Sequence, residues 1–132
     1  MGVCLRANNR KCDIEFDMGY IGFYSLRKFI GEKLSPSNYI KWLETNDKTP
    51  KEIVHSLNEQ ILNDVGQATY NFLLQKDYQG SISYKECKEL LEKIKNLTNT
   101  HYYGYVYCQH SFNDFKTLLQ FCYSHRTKLI WY

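Results

Sequence analysis

Apolar spacing along the chain changes several times, and each change marks an element. Residues 1–7 read as a short strand. After the polar loop Asn8-Asn9-Arg10-Lys11, Cys12 to Phe16 reads as a second strand, with Ile14 and Phe16 on one face. Spacing then becomes helical. Phe23, Leu26, Ile30 and Leu34 fall on one stripe, so the Gly-Tyr-Ile-Gly segment at 19–22 is expected to turn into a helix through about Leu34. Arg27, Lys28 and Lys33 are left on its outward side. Ser35-Pro36 supplies an N-cap and first-turn pair for a short helix carrying Tyr39, Ile40 and Leu43.

Thr49-Pro50 opens the next helix in the same way, with Ile53, Leu57 and Ile61 four apart and Val54 broadening the stripe. Gly66 interrupts before a second helical stretch from Ala68 to Gln75. Ser83 with Glu86 forms a capping box ahead of a helix whose Cys87, Leu90, Leu91, Ile94 and Leu97 make one apolar face. His101 to Cys108 has the β-propensity of a strand, with Tyr103, Tyr105 and Tyr107 on an all-aromatic face. Ser111 or Asn113 caps a last helix bearing Phe115, Leu118, Leu119 and Cys122, and Leu129 to Tyr132 reads as a closing strand. The expected fold is α+β: a small mixed or antiparallel sheet built from the N- and C-terminal strands, packed with four to six helices. No repeat, low-complexity segment or linker divides residues 1–132, so one compact domain is expected.

Composition narrows the class. A net charge of +3 is too mild for a dedicated nucleic-acid binder and weighs against an acidic mimic of DNA, so no sequence-specific nucleic-acid partner is expected. Aromatics are heavy, 12 of them tyrosine, a residue that suits half-buried sheet surfaces and recognition sites about equally. The five cysteines are odd in number and irregularly spaced, and no signal peptide precedes them, which predicts reduced thiols in the cytoplasm. No apolar run approaches the roughly 20 residues a membrane helix needs. Met1-Gly2 invites myristoylation, but Arg6 stands where Ser or Thr is required.

Three motifs carry candidate chemistry, and each has a simpler reading. Cys108, His110, Cys122 and His125 are potential zinc ligands, yet their spacing crosses a helix and Cys122 shares the apolar stripe of Leu118 and Leu119. Gln75 to Glu86 echoes a calcium loop, with Gly80, Ile82, Asp77 and Glu86 in place, but Gln75 and Gln79 replace acidic ligands. A nucleophilic Cys108 with His110, or Cys122 with His125, lacks a recognisable nucleophile turn. Neither metal nor cofactor is expected.

The stretches Asp17–Phe23 and Cys122–Arg126, with Trp131-Tyr132, concentrate glycine, aromatic and basic residues of the kind that dominate binding hot spots. Gly19 to Gly22 would bring free backbone N–H groups to a helix start, where the dipole favours an anion. Arg27, His125 and Arg126 would add charge if the two ends of the chain meet. Tyr20, Tyr103, Tyr105 and Trp131 would stack a base, at about 1–3 kcal/mol per contact. The expected ligand-binding set is therefore Gly19, Tyr20, Gly22, Arg27, Tyr103, Tyr105, His125, Arg126 and Trp131. Core and sheet packing is the competing account of each aromatic.

The opening Met1-Gly2-Val3-Cys4-Leu5, the Asp17-Met18-Gly19-Tyr20-x-Gly22-Phe23-x-x-Leu26-Arg27 block, the Gly-Ser-Ile-Ser turn at 80–83 and the terminal Trp131-Tyr132 resemble small proteins of phages and prophages of low-GC Gram-positive bacteria. Such proteins include inhibitors of host defence, among them anti-CRISPR proteins and sponges of nucleotide signals. The resemblance implies a non-enzymatic antagonist of bacterial immunity in the host cytoplasm, which sequesters an anionic nucleotide signal or masks an immune protein. A homo-oligomer whose interface encloses the site is favoured, because nanomolar capture needs about 12 kcal/mol. The alternatives are a small enzyme degrading a nucleotide messenger through His101, His110 or His125, and a phage regulatory or structural protein unrelated to defence.

Overall fold

The computed structural model describes residues 3–9, 15–17, 19–97 and 112–132. Strand β1 (Cys4–Ala7) and strand β4 (Leu129–Trp131) pair antiparallel at the centre of a four-stranded sheet. β2 (Glu15–Asp17) flanks β1 and β3 (Gly80–Ile82) flanks β4, again antiparallel. Leu5 faces Trp131 and Ala7 faces Leu129, and burial alternates along both strands with these four residues inside. One sheet face therefore meets the helices while Arg6 and Ile130 lie on the other. The architecture is α+β, with six helices among the described residues.

Those helices are α1 (Gly19–Leu34), α2 (Pro36–Leu43), α3 (Lys51–Val65), α4 (Gln67–Leu74), α5 (Tyr84–Ile94) and α6 (Phe112–Ser124). They bury one shared cluster in which Phe23, Phe72, Phe115 and Trp131 are in ring contact, Phe72 lying 5.4 Å from Phe115 and 5.6 Å from Trp131. Phe29 of α1 meets Phe112 of α6 edge-on at 5.1 Å. Of the expected α5 stripe, Cys87, Leu90 and Ile94 are buried, while Leu91 is partly buried and Leu97 lies past the helix end; the Ser83–Glu86 capping box is complete, with both reciprocal bonds formed. Ile53 departs from its stripe: it is half exposed, because α3 buries only its later turns through Leu57, Ile61 and Val65.

α1 begins at Gly19, so Gly19 to Gly22 form the helix start. Two other local expectations are corrected. The Gly-Ser-Ile-Ser segment contributes β3, a strand of three residues whose ladder partner lies some fifty positions further on. Its Gly80 is required there, since a Cβ would collide with the Trp131 indole. Ser35 precedes α2 as expected, but its hydroxyl does not cap that helix. It donates instead to Asp64 near the end of α3, at 2.6 Å. The expected strand over 101–108 lies outside the described residues.

Candidate functional site

The residues expected to form one site are dispersed. Trp131 is 1% exposed: its ring packs on Phe23 and Phe72, and its Nε1 donates to the Lys76 carbonyl at 2.9 Å. It is a core residue with no face open for stacking. Arg27 is also buried rather than outward. Its Nε donates to the Phe72 carbonyl at 3.0 Å and its Nη2 to the Gln75 carbonyl at 2.6 Å, while the guanidinium lies 4.4 Å from the Phe23 ring. These carbonyls belong to the last turn of α4, where backbone acceptors lack helical partners and the dipole favours a cation. Arg27 thus caps α4 from α1. Desolvation lowers its pKa from the ordinary arginine value to about 10, a pull the Tyr39 and Asp77 side chains partly oppose.

His125 and Arg126 occupy the turn between α6 and β4. The His125 ring stacks on Phe121 at 3.8 Å, with Nδ1 3.0 Å from the Phe121 carbonyl. Arg126 has φ of 51°, its N–H donates to the Tyr123 carbonyl at 3.2 Å, and the Thr127 N–H donates to the Cys122 carbonyl at 3.0 Å. That pair of bonds is a Schellman stop, with Arg126 in the left-handed position usually given to glycine. The chain ends do meet, through β1 with β4 and Phe23 with Trp131, but the pairing joins core residues. Gly22 is buried inside α1, and Gly19 and Tyr20 belong to the first turn of that helix. Tyr103, Tyr105, His101, Cys108 and His110 lie outside the described residues.

Cys122 and His125 do not converge. Cys122 is fully buried against α5, where a hydrogen bond with Cys87 and then burial push its thiol pKa upward. The calcium-like segment is closed by its own amide chemistry. Gln75 accepts from the Ser81 N–H at 3.1 Å and donates to the Ser81 carbonyl at 2.7 Å, while Glu86 is taken by Ser83 and Asn71. Among the described residues no three His, Cys, Asp or Glu side chains cluster as metal ligands would.

A different place has the makings of a binding site. A cleft of about 540 Å³ opens where α3 gives way to α4, walled by Gly66, Ala68 and Thr69, by Lys85, Lys88, Glu89, Glu92 and Lys93 of α5, and by Tyr123 of α6. The capping box starts α5 so that Cys87, Leu90 and Ile94 turn inward, which leaves positions 85, 88, 89 and 92 along the opposite stripe. Lys88 Nζ lies 5.0 Å from the Tyr123 ring centre, and Tyr84 and Tyr123 are 6.5 Å apart. Glu92 is bound by Lys95 at 2.7 Å, and that contact holds its carboxyl below the usual range.

The α4 end of this cleft has unspent donors. Gly66 adopts φ 85° and ψ 165°, a conformation close to glycine-only, and it ends α3 and opens α4 with no side-chain cap and no acidic residue in the first turn. The first bond of α4 runs from the Tyr70 N–H to the Gly66 carbonyl at 2.9 Å, so the amides before it stand ahead of the helical ladder. Thr69 is fully buried, and its Oγ1 has no hydrogen-bond partner among the described residues. Sequence reasoning passed over this place. The available signals were lysines at 85 and 88 on the polar stripe of a capped helix, and a glycine before a helix start free of acid.

Compared with known proteins, the chain matches no family model, no curated protein and no solved structure. No described helix is long and apolar enough to cross a membrane.

Proposed function

We propose that the protein is a non-enzymatic binding protein that captures a phosphate-bearing small molecule of the nucleotide class at the start of α4, and that in a bacterial host this withdraws an immune signal. The observation that carries the capture is the uncapped α4 start, whose first amides stand ahead of the helical ladder, across one cleft from three lysines. Helix N-terminal amides and ammonium groups are the usual partners of phosphate, and Tyr123 offers a ring for a base. The volume matches that of small-molecule sites. The link to immunity rests on the resemblance of the terminal blocks to phage proteins.

The test is to incubate the purified protein with a panel of nucleotide messengers, remove the free pool, and release the bound fraction by heat. Intact nucleotide is expected, with retention falling at least roughly tenfold in a Lys85→Ala/Lys88→Ala variant. Chemically altered nucleotide would make the protein an enzyme. No depletion of any messenger would reject capture and leave masking of an immune protein as the reading.

A further inference from the structure

Arg27 and the α4 terminus it caps form one wall of a second, smaller cleft, at the other end of α4 from the lysines. Its volume is about 240 Å³, below the usual range for whole drug-sized ligands and suited to a single flat ring system. Three aromatic residues line it. Tyr39 and Trp42 stand 5.6 Å apart with their planes at 34°, and Tyr24 is half exposed across from them. Gly31 matters here, since a Cβ would meet the Tyr39 ring within 2.6 Å and displace that wall.

Two polar groups give the aromatic slot a direction. Arg27 spends Nε and Nη2 on carbonyls, and its Nη1 has no hydrogen bond among the described residues. Asp77 is exposed at the cleft edge, in no ion pair among the described residues. The slot therefore presents one donor and one two-oxygen acceptor beside the accessible rings of Trp42 and Tyr24. We infer that this cleft binds guanine, with O6 accepting from Arg27 and the N1–H and N2–H groups donating to Asp77 while the base stacks on Trp42. Adenine has an amino donor where guanine has O6, and its N1 is an acceptor, so in the same pose it gives the carboxylate no donor. A site with polar groups matched to one edge rejects the ring that leaves them unpaired.

The site is independent of the lysine cleft, so it is tested with nucleosides, which carry no phosphate. Calorimetry of the full chain with guanosine and with adenosine, paired with Trp42 fluorescence, reads both affinity and place. Trp131 is sealed in the core, and a Trp42→Phe variant assigns the signal. Guanosine is expected to bind about tenfold more tightly than adenosine and to change Trp42 emission. Asp77→Asn, an exposed substitution, is expected to erase that preference. Absence of guanosine binding at millimolar concentration, equal affinity for adenosine, or binding that leaves Trp42 emission unchanged would each overturn the assignment.

Discussion

The Trp131 indole N–H meets the Lys76 carbonyl at 2.9 Å, so a residue of the last strand pins the loop that joins α4 to β3. That one bond ties the C-terminal segment to the middle of the chain, and the same ring roofs Gly80. Trp131→Phe keeps an aromatic ring but strands the carbonyl and leaves a gap. It should cost about 1–3 kcal/mol in urea unfolding. Nucleotide retention by the folded variant should stay at the wild-type level, because Trp131 lines neither cleft. Loss of retention in a variant that is still folded would return the indole to the binding surface.

Arg27→Lys separates charge from geometry. An ammonium keeps the positive charge but lacks the planar fork that reaches two carbonyls while lying over Phe23. The expected loss is about 2–3 kcal/mol of stability, read by thermal and chemical melts. An undiminished melt would show that any cation suffices at the end of α4.

Arg126 occupies a left-handed backbone position with φ of 51°. Arg126→Gly should therefore raise stability, by about 0.5–1 kcal/mol, and Arg126→Ala should not. Denaturant midpoints of the three proteins decide this. A lower midpoint for the glycine variant would show that the Arg126 side chain carries a stabilising contact.

Gly66→Ala places a side chain at φ 85° and ψ 165°. The nearest atom to the added Cβ is Lys93 Cε at 3.8 Å, so space is available and the penalty is backbone strain, about 1–3 kcal/mol. If the start of α4 holds the ligand, nucleotide retention should fall along with the melting temperature. A drop in stability with full retention would detach the ligand from α4.

Acid should weaken the α2–α3 contact through Asp64, whose carboxylate accepts from the Ser35 hydroxyl at 2.6 Å and the Asn38 amide at 2.9 Å. Both bonds hold its pKa below the ordinary 3.8. The folded state then binds fewer protons than the unfolded one. The contribution is complete above the ordinary value and is lost as pH falls through the folded one. Urea melts from about pH 5 to about pH 2 should show a shallower acid decline in Asp64→Asn than in the parent. Parallel acid limbs would contradict this.

Local chemistry was legible in the sequence, and distant chemistry was not. The Ser83–Glu86 box, the Cys87, Leu90 and Ile94 part of the α5 stripe and the punctuation at Gly66 depend on residues within a turn or two of one another, and each stands as its spacing predicts, whereas Leu97 falls past the helix end. The terminal strands were also legible, since short strands need partners. Arg27 was misread because a helical wheel shows the side on which a residue lies, while its partners, Phe72 and Gln75, come from another helix end. β3 was missed because three residues beside a glycine look like a turn until Leu129 to Trp131 arrive. The lysine cleft was hidden for a similar reason: its cations and its open helix start belong to different elements.

Cys4 and Tyr132 exchange backbone hydrogen bonds in both directions, at 2.9 and 3.2 Å. The sheet centre therefore has the form of a hairpin lacking its connection, and its closure must bring together residues separated by almost the whole sequence. Such remote closure is entropically slow and comes after local helices form. A short linker from residue 132 to residue 3, with new termini opened in an exposed loop such as 45–49, would turn the most remote pairing into the most local. That circular permutant should keep the same sheet and fold faster than the parent chain.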